Sequence, residues 1–133
     1  MNGKISLRQV VDRVIKEMMP LSLSRRCAIT NNISFQMYLE TDEEKLSDIL
    51  VKLLAGTIKS SHSSCIHISA EKEDEKTFIT VRDNNSDYSG YISGKMTKVE
   101  SLIQNIGGNV YFEFNKRNSI TIVLCLHHSG KVA

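Results

Sequence analysis

The chain has 133 residues, with 17 basic and 15 acidic side chains and a net charge of +2. That length fits one domain with its own core and leaves little room for two. Hydrophobic residues at 41% and charged residues at 24% match a globular protein. They exclude low complexity, and the interspersed charges exclude the basic footprint of a nucleic-acid binder. No apolar run approaches the roughly 18 residues of a membrane span, and the first 13 residues lack the apolar stretch of a secretory signal.

Ser6 and Gln9 form a capping box, in which a hydroxyl and an amide side chain satisfy free backbone N–H groups reciprocally. Behind it Leu7, Val10, Val11, Val14, Ile15 and Met18 recur at helical spacing. Pro20 is expected to kink or end this helix, with an extension to about Arg26 as the alternative. Residues 28–33 read as a short strand and turn, and residues 35–39 as a second strand.

Thr41 and Glu44 make a second capping box. A stripe of Leu46, Ile49, Leu50, Leu53, Leu54 and Ile58 then predicts a helix ending near Lys59, before the turn residues 60–64. Residues 65–70 and 77–82 alternate as strands around a charged turn at 71–76, so they form a hairpin. Residues 83–94 read as a polar loop. Met96, Val99, Leu102, Ile103 and Ile106 mark a third helix, stopped by Gly107-Gly108. Residues 110–114 and 119–126 form a last hairpin, while residues 1–5 and 127–133 are expected to fray.

Helices separated by strand hairpins imply an α+β fold. The expected form is a two-layer α/β sandwich whose mixed sheet is covered by helices on one face, as a single domain over 1–133. The three cysteines are far apart and form no CxxC pair, so neither a zinc site nor a disulfide framework is expected. Cys65 and Cys125 read as small core hydrophobes in a reducing, cytoplasmic setting. His62 and His67 lack partners at metal-ligand spacing, so no metal site is expected.

This order of elements, with its residues, resembles the ATP-binding domain of sensor histidine kinases and the wider GHKL group. Asp42-Glu-Glu-Lys-Leu46 followed by residues 49–59 resembles the family helix D-x-x-R-L…L-x-N-L-L-x-N-A-x-K. Ile79-Thr-Val-Arg-Asp-Asn84 resembles the strand that ends in V-x-D-N-G-x-G. The Gly-Gly stop and the last strand match the family's closing pattern, so the resemblance runs from about Val10 to Leu126. It implies that Asp83 stands where an aspartate recognises the adenine amino group, with Lys59 near the phosphates and Gly94 at the start of the second glycine box.

The departures from the pattern carry equal weight. The helix asparagine that holds magnesium falls at Gly56, which has no side-chain oxygen, and the earlier asparagine falls at Lys52. Asn85 and Asp87 stand where the first box needs glycines, and only residues 88–93 remain for the lid. No histidine sits in a phosphoacceptor context. The expectation is therefore a vestigial ATP site at Asp83, Lys59, Gly94 and Gly56, with no catalytic residue and no cofactor. Such a chain serves signal transduction as an interaction module for a protein partner: a response regulator, a sigma-like factor or another signalling protein. Neither nucleic acid nor membrane is an expected partner. The alternative is an ATP- and magnesium-using kinase of the two-component or anti-sigma-factor type, with Asp48 or Glu44 as an unconventional metal ligand.

Overall fold

Asp42 sets where the central helix begins. Its side chain accepts the Lys45 backbone N–H at 3.1 Å. The helix α2 therefore runs Glu43–Lys59, one residue later than a Thr41 cap would place it. A carboxyl is the better acceptor there, because the helix N-terminus is positive. The structure is a computed structural model and describes residues 3–88 and 96–127. All six residues of the apolar α2 stripe are buried, which gives this helix the wide core-facing side of a central element.

Helix α1 spans Leu7–Ser24, and the Ser6 hydroxyl accepts the Gln9 N–H at 3.4 Å. It does not end at Pro20. That residue is exposed, so water can satisfy the carbonyl one turn earlier that a proline N–H cannot reach. The helix closes at Arg25, beyond which Arg26 takes a φ of 56°.

The main sheet has five strands in the order β2-β4-β5-β7-β6: β2 (Ala28–Asn31), β4 (Cys65–Glu73), β5 (Lys76–Asp83), β7 (Ile120–His127) and β6 (Gly108–Phe114). Only β2 and β4 run parallel, so the sheet is mixed as expected. The chain segment joining β2 to β4 includes α2, the kind of crossover that parallel neighbours need. Ile66, Ile68, Ile79, Val81, Ile122 and Leu124 point inward to one core shared with α1, α2 and α3 (Thr97–Gln104). The expected two-layer sandwich is the observed architecture.

Three local readings change. Residues 3–6 are not a frayed end. They form β1 (Gly3–Ser6), which pairs antiparallel with β3 (Tyr38–Thr41) and buries Ile5 against Leu39. The hairpin turn at 71–76 shrinks to Asp74-Glu75, because Glu73 already faces Lys76 and Asp74 accepts a φ of 55°. Cys65 is not a core residue. It is exposed, whereas Cys27 and Cys125 are buried. Period-two alternation places Cys65 opposite the exposed Ala28 on the outer face, one residue out of phase with the inward Ile66.

Arg8 secures the β2 end of the sheet. Its guanidinium donates to the Asn31 and Ile33 carbonyls at 3.3 and 2.7 Å and lies 4.1 Å from the centre of the Phe35 ring. After α3, Gly107 takes a φ of 77°. A Cβ on Gly108 would come within 2.5 Å of the Cys125 carbonyl oxygen, so the β6 backbone enters the sheet only with glycine there.

The exposed proline gives a direct test of helix α1. Pro20→Ala restores one N–H to Lys16 and removes the ring from a helix interior. We predict a gain of about 1–3 kcal/mol in unfolding free energy by urea denaturation.

Candidate functional site

The site is built where the end of α2 meets the end of β5. The turn residues 60–64 leave the helix and lead into β4, which pairs with β5 so that Ile66 faces Asp83. This brings two serine hydroxyls onto the Asp83 carboxyl: Ser61 reaches one oxygen and Ser64 the other. Asp83 also accepts the Asn85 backbone N–H at 3.2 Å, closing a turn after the strand. The Ser61 hydroxyl is shared with the Thr57 carbonyl at 2.6 Å, which ties the carboxyl to the last turn of α2. Asp83, Ser61, Ser64 and Thr57 are all buried.

The chain beyond Asp83 is stitched down on both sides. Asp87 N–H donates to the Ser60 carbonyl and Ser86 N–H to the Asn118 carbonyl, each at 2.7 Å. The Asn85 amide donates to the His62 carbonyl. Tyr88 takes a φ of 62°, and its hydroxyl reaches the Asn115 and Ser119 carbonyls at 2.9 and 3.1 Å. Its ring meets Phe114 edge to face at 5.1 Å. Arg25 holds the other side, donating to the Lys59 and Ser61 carbonyls at 2.7 and 3.1 Å. A cation on the C-terminal carbonyls of α2 also opposes that helix's dipole.

One turn before Lys59, Gly56 faces Met96. A Cβ on Gly56 would stand 2.2 Å from the Met96 methyl carbon and 3.1 Å from its sulfur. The thioether of a buried Met96 therefore occupies the space beside this turn. Lys59 is exposed, and so are Asp48 and Glu44. Asp48 is bound by Lys52 at 2.5 Å across one helical turn. Gly94 lies outside the described residues, as do residues 89–93 of the short lid.

The structure thus joins Asp83 to the end of α2 and sets Gly56 in the turn before it, while the Lys59 side chain is solvated. Sequence reading missed Ser61, Ser64, Arg25 and the packing role of Met96. The serine run 60–64 was legible as turn chemistry. Its approach to Asp83 follows only from the β4–β5 register. Among the described residues, no three His, Cys, Asp or Glu side chains are grouped to hold a metal ion, and no helix is long and apolar enough to cross a membrane.

Cys27 borders the same region. Burial pushes its thiol pKa up, with a Ser64 backbone hydrogen bond opposing the shift and the Asp83 charge adding to it.

No sequence-family model matches the chain, and no curated protein does. Solved structures do match in shape. The histidine kinase AdeS of Acinetobacter baumannii is 13% identical over 97% of this chain and 68% of that one, with a TM-score of 0.84. The catalytic domain of the histidine kinase ThkA is 12% identical over 96% and 97%, with a TM-score of 0.82. A histidine kinase from Burkholderia phymatum is 16% identical over 96% and 71%, with a TM-score of 0.81. ThkA has also been solved in complex with the response regulator protein TrrA, and that chain matches with a TM-score of 0.80. At these identities the likeness is one of fold: the chain has the GHKL fold of histidine kinase catalytic domains.

Gly56→Ala should gain nothing in the wild-type protein, because the new methyl must displace Met96. In a Met96→Ala background the same change should stabilise by about 0.5–1 kcal/mol through helix propensity. Urea unfolding of the four proteins should give a coupling of about 1 kcal/mol or more, and zero coupling would remove the contact. For the thiols, alkylation of the native protein should label Cys65 first and leave Cys27 protected. The folded state keeps the Cys27 proton after the unfolded chain has lost it. Its contribution to stability is therefore full below the ordinary thiol pKa of 9.0 and declines as pH rises beyond it, which urea midpoints across that range will read.

Proposed function

We propose that this chain is a histidine-kinase-like ATP-binding domain with a degenerate nucleotide site, acting in signal transduction as a non-catalytic interaction module. The observation that carries the reading is the Asp83 carboxyl, buried and engaged by Ser61, Ser64 and the Asn85 N–H. An aspartate that recognises an adenine amino group must offer it a free lone pair. Here three of the roughly four acceptor directions of a carboxylate already face protein donors, and the carboxyl has no exposed surface.

The other positions support the same conclusion. Magnesium needs oxygen ligands. At position 56 the helix offers none, and the adjoining space holds a thioether, to which a hard cation does not bind. Asp48 and Glu44, the substitute ligands of the alternative reading, lie on the exposed side of α2, and Asp48 already pairs with Lys52. The residues present therefore do not fit a magnesium triphosphate. Weak or absent nucleotide binding follows, and Asp83, Gly56, Lys59 and Gly94 are read as vestiges of the site.

The partner is proposed to be a protein: a response regulator, a sigma-like factor or another signalling protein. The complex of ThkA with TrrA supports the first, because it places a domain of this fold in a protein that binds a response regulator. The competing reading is an ATP-using kinase, and it requires Asp83 to exchange its serines for adenine.

Isothermal titration with magnesium ATP separates the two. We expect no binding tighter than about 1 mM, which corresponds to roughly −4 kcal/mol. Micromolar binding of ATP would overturn the degenerate reading.

A further inference from the structure

Two large hydrophobic side chains on helix α1 stand in water: Met19 is 50% exposed and Leu23 is 70% exposed. They are four residues apart, so they share one face of the helix. Pro20 beside them is exposed as well, and Ile15, one turn before Met19, is half-buried. The pair continues the row of Arg8 and Asp12, whose side chains reach Asn31 at the sheet margin. It turns away from Arg13, which reaches Glu43 of α2. A paired apolar surface on an outer helix is the mark of a contact made with another molecule.

The charges around this pair are mostly of one sign. Lys16 is exposed one turn before it. Arg25, Arg26 and Lys59 gather where α1 and α2 end together, since Arg25 donates to the Lys59 carbonyl at 2.7 Å. The nearby carboxylates are occupied or turned away. Asp12 accepts the Asn31 amide at 2.7 Å, Asp48 pairs with Lys52, and Asp87 lies 3.6 Å from His62. Asp83 is enclosed by its serines. Glu17 is two residues from Met19 and so nearly opposite it around the helix. The face therefore joins an apolar pair to cations that this chain leaves unbalanced.

We propose that this face of α1 is a docking surface for an amphipathic helix with acidic flanks, presented by a partner protein. Apolar residues four apart on that helix match the Met19–Leu23 spacing, because packed helices interleave rows of the same pitch. Its carboxylates meet Lys16, Arg26 and Lys59. The charges select this occupant. A second copy stacked in parallel sets the same cations against one another. An antiparallel copy brings only the Asp12 that Asn31 already holds. The proposal rests on the reading of this chain as an interaction module and gives the partner its chemistry. Two anchors and three cations make less than the standard interface of about 800 Å² per partner, so the dissociation constant should be on the order of 10–100 μM.

The test uses a synthetic 18-residue helical peptide with leucines along one face and glutamates beside them, and a twin with lysines for glutamates. Fluorescence anisotropy against the full chain should show the acidic peptide binding at least 10-fold tighter than its twin, and more weakly as salt rises. Leu23→Ser and Met19→Ser, both at exposed positions, should each weaken binding about 10-fold. Arg26→Glu should weaken the acidic peptide and favour the basic one. Circular dichroism checks that every variant is folded. Equal affinity for the two peptides, or binding that survives both serine variants, overturns the proposal. So does a dimer in sedimentation that Leu23→Ser abolishes, because a second copy is then the occupant. So does Leu23-dependent binding to phosphatidylglycerol vesicles without binding of the acidic peptide. Titration with magnesium ATP is independent of all these results: micromolar ATP binding with the peptide contact intact sinks the degenerate-site reading alone.

Discussion

A carboxyl group enclosed by protein must receive its hydrogen bonds from protein, and Asp83 receives them from Ser61, Ser64 and the Asn85 N–H. An unsatisfied group of this kind costs about 1–3 kcal/mol, more if charged. The arrangement therefore constrains more than one residue. It fixes the path of the turn between α2 and β4, because both serines must face β5. It also fixes the first residues after β5, whose backbone is pinned to that turn on one side and to the β6–β7 turn on the other. Asp83 is thus a structural junction between the end of α2, the end of β5 and the β6–β7 turn.

Met96 and Gly56 meet one turn before this junction. A glycine inside a helix is unfavourable by roughly 1 kcal/mol relative to alanine. Here its missing Cβ leaves a seat for the methionine thioether. Methionine suits such a seat because its unbranched chain adapts to irregular space. The two residues are thus complementary in volume. This turn of α2 makes an apolar contact with the start of α3.

The elements that the sequence displays best are those whose signal is local. The α2 stripe, the two hairpins and the Gly-Gly stop each lie within about 20 residues of chain and follow from side-chain period and glycine geometry. The elements it hides depend on distant partners. Strand β1 exists because Gly3–Ser6 pairs with Tyr38–Thr41, more than thirty residues away. Pro20 is tolerated because of the helix face on which it falls, and Cys65 is exposed because of strand parity. At the candidate site, Asp83 is legible from the motif at the end of its strand. Its serine partners lie 19 and 22 residues away in sequence and become legible only with the β4–β5 register. Gly56 is legible as a glycine within a helical stripe, but the Met96 side chain that packs on it is not, since Met96 comes from the start of α3.

Arg8 has a consequence for how this chain behaves when crowded. A strand at the margin of a sheet presents unpaired backbone carbonyls that can template a foreign strand and start aggregation. The Arg8 guanidinium occupies the Asn31 carbonyl at the end of β2 and the Ile33 carbonyl just beyond it, and Asn31 returns a hydrogen bond to the Arg8 carbonyl. Helix α1 is thereby clasped over that margin, and two of the carbonyls that an added strand would need are already taken.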